Sequence, residues 1–483
     1  MRSCLNKGEE RGSIGDLKGK VLRGGGFLAL RQGLGILISF VGTALLLRAL
    51  GPKEYGLYAT ALGLYTYLLS IGQWGIGTYL VRSEGEGDIE VFQQGLSLML
   101  VISAGIALLG IVSLPLIDRW LGLDGLTLVA LALFVGLPLS LLSIPLAAYM
   151  ERLLEYSGLA KVELGGQLAY YFVALPLAYG GLGVWAPVLG WWSQALFTFW
   201  GLRRLSHIPL RWCWKRDKAR DMLAYGLSFS SSLWVWQLRG LVNPLIVGRY
   251  LGAEAVGYIS LTIRLVETLS FMKAVTWRLS IPAFAKIQGD RRKLGWAITE
   301  ASEIQVLVVG LPLLGFSLLS PWVIPGLFGS AWAPAIALFP FIAVSYLVNA
   351  VFNMHSSALY VLQKNWEVTV FHMVHLSMFA AATWVFIPPL GAIAYGWAEI
   401  VALASYIVIY RSAVNAVGPL NQTLSVVWSL AFGLALFWQE LNLVAFVPLF
   451  GVMILPQARE RLLRLVGDLW LALRKGTVSG GVQ

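Results

Sequence analysis

The residues best placed to do chemistry are ionisable side chains set inside long apolar runs. Arg239 and Asn243 stand four apart, on one face of any helix that carries them. Pro244 follows at once, lacks an N–H and tends to kink a helix. Arg264 and Glu267 again share a face, and Lys273 follows in the same run. Arg31 and Glu399 lie in two further runs. A charge near the middle of a bilayer costs about 2.5–3.5 kcal/mol on insertion scales, so it normally faces a partner or a watery cavity. Arg239 is far from both ends of its run and most needs such a cavity. At about 1.5 Å of rise per residue, Arg239 and Arg264 both fall roughly 10–15 Å in from one surface. Two guanidiniums at that depth repel unless an anion, or Glu267, lies between them. The other members have plainer readings. Arg31 and Lys273 could snorkel to headgroups, and Arg264 and Glu267 could neutralise each other. Glu399 could partner an arginine or carry a coupled proton. Of these residues Arg239 is the one expected to line a polar cavity, and the roles of the others stay open.

Enzyme chemistry has little to work with. Gly15, Gly19 and Lys20 mimic a phosphate loop, but the spacing is one residue short and Val21 stands where Ser or Thr belongs. His372 and His375 share a helix face, yet no nearby Cys or carboxylate completes a metal set, so polar packing is the expectation. No cofactor is implied. The two cysteines, Cys4 and Cys213, suggest no disulfide framework.

The elements that must position these residues are membrane helices. Of 483 residues, 58% are hydrophobic and 13% charged, whereas a soluble chain carries roughly 25% charge. The pattern predicts an all-α polytopic membrane protein with about fourteen transmembrane helices. The expected spans are 26–48, 56–80, 94–117, 126–149, 163–180, 182–202, 223–247, 257–278, 298–324, 332–358, 366–387, 391–411, 422–439 and 442–457. With this count, 28 of the 36 Lys and Arg fall on one side and four on the other, which predicts both termini in the cytosol. The net charge of +11 is then topogenic, suits membrane lipids as partners and does not imply nucleic acid. Trp120, Trp191, Trp192, Trp212, Trp214, Trp322 and Trp332 sit near span ends and read as an interfacial belt.

One motif recurs. Arg48–Gly56 reads RALGPKEYG and Arg249–Gly257 reads RYLGAEAVG, 201 residues further on. Six spans separate the copies, so the two halves share an orientation and form a parallel repeat. The motif reads as a tight outer turn, with Arg48 and Arg249 as headgroup anchors. The resulting organisation is a basic cytosolic leader (1–25), a six-helix bundle (26–202), a cytosolic linker (203–222), a second six-helix bundle (223–411), two additional spans (412–457) and an amphipathic cytosolic tail (458–483).

The opening GGGFLALRQGLGILISFVGTALLLRALGPKEYGLYATA resembles the start of Wzx-type polysaccharide and O-antigen flippases. These belong to the multidrug/oligosaccharidyl-lipid/polysaccharide exporter superfamily. The second half is similar to the same family's pattern and ends in a loop with Pro282, Phe284, Lys286, Gln288 and Asp290. The resemblance implies translocation of an undecaprenyl-pyrophosphate-linked oligosaccharide from the cytoplasmic to the outer leaflet of a bacterial or archaeal inner membrane, by alternating access. It also implies contact with polysaccharide polymerase and chain-length machinery, and H+ or Na+ coupling. Arg239, Asn243, Arg264 and Arg31 would then face the pyrophosphate, and Glu267 or Glu399 would serve coupling or charge pairing. Three other readings stay open. A peptidoglycan-precursor flippase shares the architecture. So does a drug exporter, though one for cations would want an acidic lining. A membrane polymerase or ligase for lipid-linked glycans would need a sizeable outer loop, and the outer connections here are short.

Overall fold

The computed structural model describes residues 2–83, 89–463 and 467, with side chains from Gly33 onward except at residues 228, 229, 231 and 232. Every described secondary-structure element is helical. Among the described residues seven helices are long and apolar enough to cross a membrane, or up to nine if each of two bent pairs makes one span. Each of the fourteen expected segments coincides with helix. Two of these helices, Tyr156–Tyr179 and Trp185–Ser206, are not among the seven. They carry Tyr170, Tyr171, Trp191 and Trp192, whose rings score low on hydropathy scales although they suit membrane helices. The amphipathic tail beyond Leu463 falls outside the described residues, Gly467 apart.

The chain divides into two compact units, Met1–Gly257 and Tyr258–Gln483. The first contains α1 (Arg2–Gln73), α2 (Ile76–Arg82), α3 (Ile89–Leu121), α4 (Leu126–Val135), α5 (Leu137–Arg152), α6 (Tyr156–Tyr179), α7 (Trp185–Ser206) and α8 (Arg216–Leu238). After α8 come a 3₁₀ turn (Arg239–Leu241), a π-helical turn (Asn243–Val247) and the start of α9 (Gly248–Leu269). Tyr58, Ala61 and Leu64 of α1 pack on Leu133 and Phe134 of α4. Ile76 and Leu80 of α2 pack with Phe92 and Met99 of α3 and Leu141 of α5. In hydrocarbon such cores rest on close packing and interhelical hydrogen bonds rather than on the hydrophobic effect. Gln167 of α6 supplies the bonds to α1, with Nε2 donating to the Gly35 carbonyl and to Ser39 Oγ, both at 2.7 Å.

The repeated motif is a local break in each of two helices. Gly51 interrupts α1 with φ 73° and ψ 171°, and Gly252 interrupts α9 with φ 79° and ψ −178°. Both are the fourth residue of the motif. Glycine alone adopts this region cheaply. The two copies also lie against each other. A Cβ on Gly56 would come within 1.7 Å of the Ala253 carbonyl oxygen, and one on Gly257 within 2.3 Å of the Pro52 oxygen. Pro52 and Ala253 hold the same place in the two copies, so the contact is reciprocal, as at a two-fold axis. Arg48 is exposed, and Arg249 lies with its guanidinium carbon 5.4 Å from the Trp120 ring centre.

The second unit contains the rest of α9, then α10 (Met272–Ile287), α11 (Arg291–Phe328), α12 (Pro334–Val361), α13 (Asn365–Leu390), α14 (Ile393–Ala402), α15 (Tyr406–Val417), α16 (Thr423–Leu436), α17 (Trp438–Leu441) and α18 (Val447–Ile454). A bend of 53° at Ser270–Phe271 separates α9 from α10. Asp290 caps α11 by accepting a hydrogen bond from the Lys293 amide at 3.1 Å. Phe284 and Leu294 join the buried core beside that turn. The Pro-Phe-Lys-Gln-Asp loop is thus a structural corner. One member of the expected aromatic belt is misplaced by sequence position alone. Trp332 is fully buried, with its ring against Tyr258, so it does not face an interface.

Candidate functional site

The α9–α10 bend sets the geometry of the polar residues in the second unit. Glu267 stands just before it and Lys273 just after it, and both meet Tyr346 of α12. Tyr346 Oη donates to Glu267 Oε1 at 3.0 Å, and Lys273 Nζ lies 4.4 Å from the centre of the Tyr346 ring. Asn349 is three residues along α12, on the same face. Its Oδ1 accepts from Lys273 Nζ at 2.9 Å, and its Nδ2 donates to Tyr406 Oη at 2.8 Å. The opposite charges on α9 and α10 are therefore joined through one phenol, and the ammonium is seated by an amide and a ring face. Lys273 does not simply snorkel.

The network continues from Tyr406. Its ring stands edge-on to His375, with centres 5.7 Å apart. His375 Nδ1 lies 2.9 Å from Ser405 Oγ. The Ser405 hydroxyl already donates to the Ala402 carbonyl at 2.6 Å, so Nδ1 carries the proton in this bond. Beside Tyr346, Ser345 Oγ donates at 2.6 Å to Glu399 Oε2, and this carboxylate is buried. Such a chain of phenols, amide, imidazole and carboxylates can hold an anionic group at Lys273 or relay protons.

The remaining candidates lie elsewhere. Arg264 and Glu267 are both exposed, and among the described residues they make no ion pair with each other. In the first unit Arg239 is half-buried at the start of the 3₁₀ turn, its guanidinium carbon 5.4 Å from the Trp236 ring centre. Asn243 is buried, and its Nδ2 donates to the Val256 carbonyl at 3.3 Å. That bond ties the π turn to the second copy of the repeated motif. Pro244 accounts for the turn, because it removes a backbone donor and crowds the preceding turn. Arg31 lies on α1, but its side chain is outside the described residues. No cluster of three or more His, Cys, Asp or Glu able to hold a metal occurs among the described residues.

Sequence reading named Lys273 but left it with a snorkelling alternative and outside the site, and it missed Tyr346, Asn349 and Tyr406. The usable signal was Tyr346 and Asn349 at helical spacing within a long, mainly apolar run.

The fold and this embedded network define a multi-pass helical membrane protein. The lipid II flippase MurJ in an inward closed conformation aligns with a TM-score of 0.67 at 14% identity, covering 92% of this chain and 99% of that one. An inward-facing multidrug-resistance transporter of the MATE family aligns at 0.63 and 15% identity, covering 79% and 94%. The chain belongs to the polysaccharide biosynthesis protein family, whose model matches residues 45–337. Among its relatives, the amylovoran biosynthesis protein AmsL of Erwinia amylovora is 30% identical over 186 residues, 38% of this chain and 48% of that protein. The succinoglycan biosynthesis transport protein ExoT of Rhizobium meliloti is 25% identical over 64% of this chain and 62% of that protein. The lipopolysaccharide biosynthesis protein WzxC of Escherichia coli is 23% identical over 71% and 70%. The chain thus spans about half of the first relative and under two thirds of the second.

Proposed function

We propose that the protein is a flippase for a polyprenyl-pyrophosphate-linked oligosaccharide, moving it from the cytoplasmic to the outer leaflet for export of a surface or extracellular polysaccharide. The observation that carries this reading is a cation seated inside the membrane helices of a polysaccharide-biosynthesis family member. Lys273 is held there by Asn349 and Tyr346. An ammonium so placed offsets phosphate charge at the depth where a headgroup must cross. Arg239, with Asn243 on the next turn, supplies a second cation, and Arg264 and Arg31 are further candidates of the same kind. We read the architecture as fourteen spans in two six-helix bundles plus two additional spans, with both termini in the cytosol. Alternating access carries the pyrophosphate and sugars through the protein while the lipid tail stays in the bilayer.

H+ or Na+ coupling resets the cycle in this reading. Glu267 suits that role because its Tyr346 partner also touches Lys273, so a change of charge at one is felt at the other. Glu399, buried on Ser345, is the second coupling candidate. The experiment is leaflet-specific detection of the lipid-linked glycan in cells expressing wild-type protein or Arg239→Ala at equal membrane levels. The variant should lose export. Export at the wild-type level removes Arg239 from the mechanism.

A further inference from the structure

The segment joining α7 to α8 is too well tied down to be a passive connector. His207 ends α7 with φ 53°, and residues 207–215 then run without helix along the start of α3. The Cys213 amide donates to Ser97 Oγ at 2.9 Å and the Lys215 amide to Gln94 Oε1 at 2.6 Å. Gln93 Nε2 donates to the Pro209 carbonyl at 3.4 Å, and Lys215 pairs with Glu90. Cys213 turns its side chain inward, Sγ lying 3.9 Å from Glu90 Oε1. In extended backbone successive side chains alternate in direction, so the residues flanking Cys213 must point away from α3.

Those residues are Trp212 and Trp214. They are 63% and 45% exposed and stack with ring centres 5.7 Å apart and 8° between planes. Leu205 and Leu210 are exposed beside them in sequence. Between residues 203 and 220 there are seven Lys or Arg and one acid, Asp217. Arg204, Arg211, Arg216 and Arg220 are all exposed. A stacked pair of exposed indoles with exposed leucines nearby in the segment and a basic field around them, flanked by the ends of two long helices, matches a membrane interface by apolar insertion and by charge.

We infer that residues 204–216 form a docking surface for anionic phospholipid headgroups, with Trp212 and Trp214 inserted at the headgroup level and the surrounding arginines selecting negative charge. The surface stands whether or not the protein moves a glycan.

The test uses the full chain reconstituted in phosphatidylcholine vesicles that contain no polyprenyl lipid. Trace brominated phosphatidylglycerol or brominated phosphatidylcholine serves as fluorescence quencher, and W212F/W214F, which keeps two apolar rings, isolates the contribution of the pair. The pair should be quenched more strongly by the anionic lipid. R211Q should lower that preference about fivefold, the size expected of one basic contact at an anionic surface, and high salt should lower it too. Equal quenching of the pair by both lipids would overturn charge selection. No quenching by either would show that the indoles face water or a protein, and would overturn the surface altogether.

Discussion

At the scale of single residues, Tyr346 carries the most consequence. It touches both Glu267 and Lys273. Its two contacts can be separated by substitution. Tyr346→Phe keeps the ring beneath the ammonium and removes the hydrogen bond to the carboxylate. Lys273→Met removes the cation and keeps similar bulk. A hydrogen bond to a charged group is worth about 1.5–3 kcal/mol, or roughly tenfold to 150-fold in a rate that depends on it. Lys273→Met should therefore slow glycan translocation by at least about tenfold at unchanged membrane level. Tyr346→Phe should change the dependence of transport on pH or Na+ more than its maximum rate. Translocation by Lys273→Met at wild-type rate would take the network out of transport. These residues were hard to read in the sequence for a physical reason. Tyr346, Asn349 and Tyr406 carry no charge, and their partners lie 57 to 79 residues away in the chain. Charge alone pointed to Arg264 and Glu267 as a pair, whereas the bend after Glu267 gives that carboxylate a phenol instead.

At the scale of elements, glycine was more legible than charge. The repeated Leu-Gly marks residues that must take positive φ, and Gly51 and Gly252 do so. The last glycine of each copy had no local reason in the sequence, because its cause is a backbone on the other copy. Gly56→Ala places a methyl where the Ala253 carbonyl already stands. Overpacking of this kind typically costs about 1–3 kcal/mol. The detergent-solubilised variant should melt well below wild type, and Gly257→Ala should do the same because the contact is reciprocal. Gly105→Ala, where nothing lies within 4 Å, is the control. An unchanged melting point for both motif variants would refute the contact. The α11 cap makes a pH prediction. The Lys293 amide holds the Asp290 carboxyl below its usual range. A depressed folded-state value means the stabilisation is present above the ordinary carboxylate pKa and fades as pH falls through the lowered one. Asp290→Asn still accepts the bond but does not titrate. It should flatten the acid side of the melting profile relative to wild type, and an identical profile would remove Asp290 from the acid response.

At the scale of the whole molecule, the open quantity is how many helices cross the bilayer. Length and composition give seven to nine spans among the described residues, whereas the apolar runs of the sequence predict fourteen, a count under which 28 of the 36 Lys and Arg fall on one side. Three of the five missing spans arise because Gly33–Arg82 and each bent pair count once where two expected spans fall. The other two are α6 and α7, which spend their length on tyrosine, tryptophan, glycine and polar contacts to neighbours. Gln167 bonds α1 and Tyr171 Oη lies 3.0 Å from Thr43 Oγ1, as expected of helices that find polar partners inside a membrane. Hydropathy penalises such residues, while the positive-inside rule does not see them at all. Fourteen spans put both termini on one side, and α6 and α7 must then cross in opposite directions. Alkaline phosphatase fused after Gly183 should be active and the same reporter fused after His207 inactive. A fluorescent protein at the end of the full chain should mature in the cytosol. If both phosphatase fusions match in activity, α7 does not cross. If the phosphatase pattern holds but the terminal reporter stays dark in membranes that contain the protein, the later helices make an odd number of crossings and the fourteen-span reading fails there.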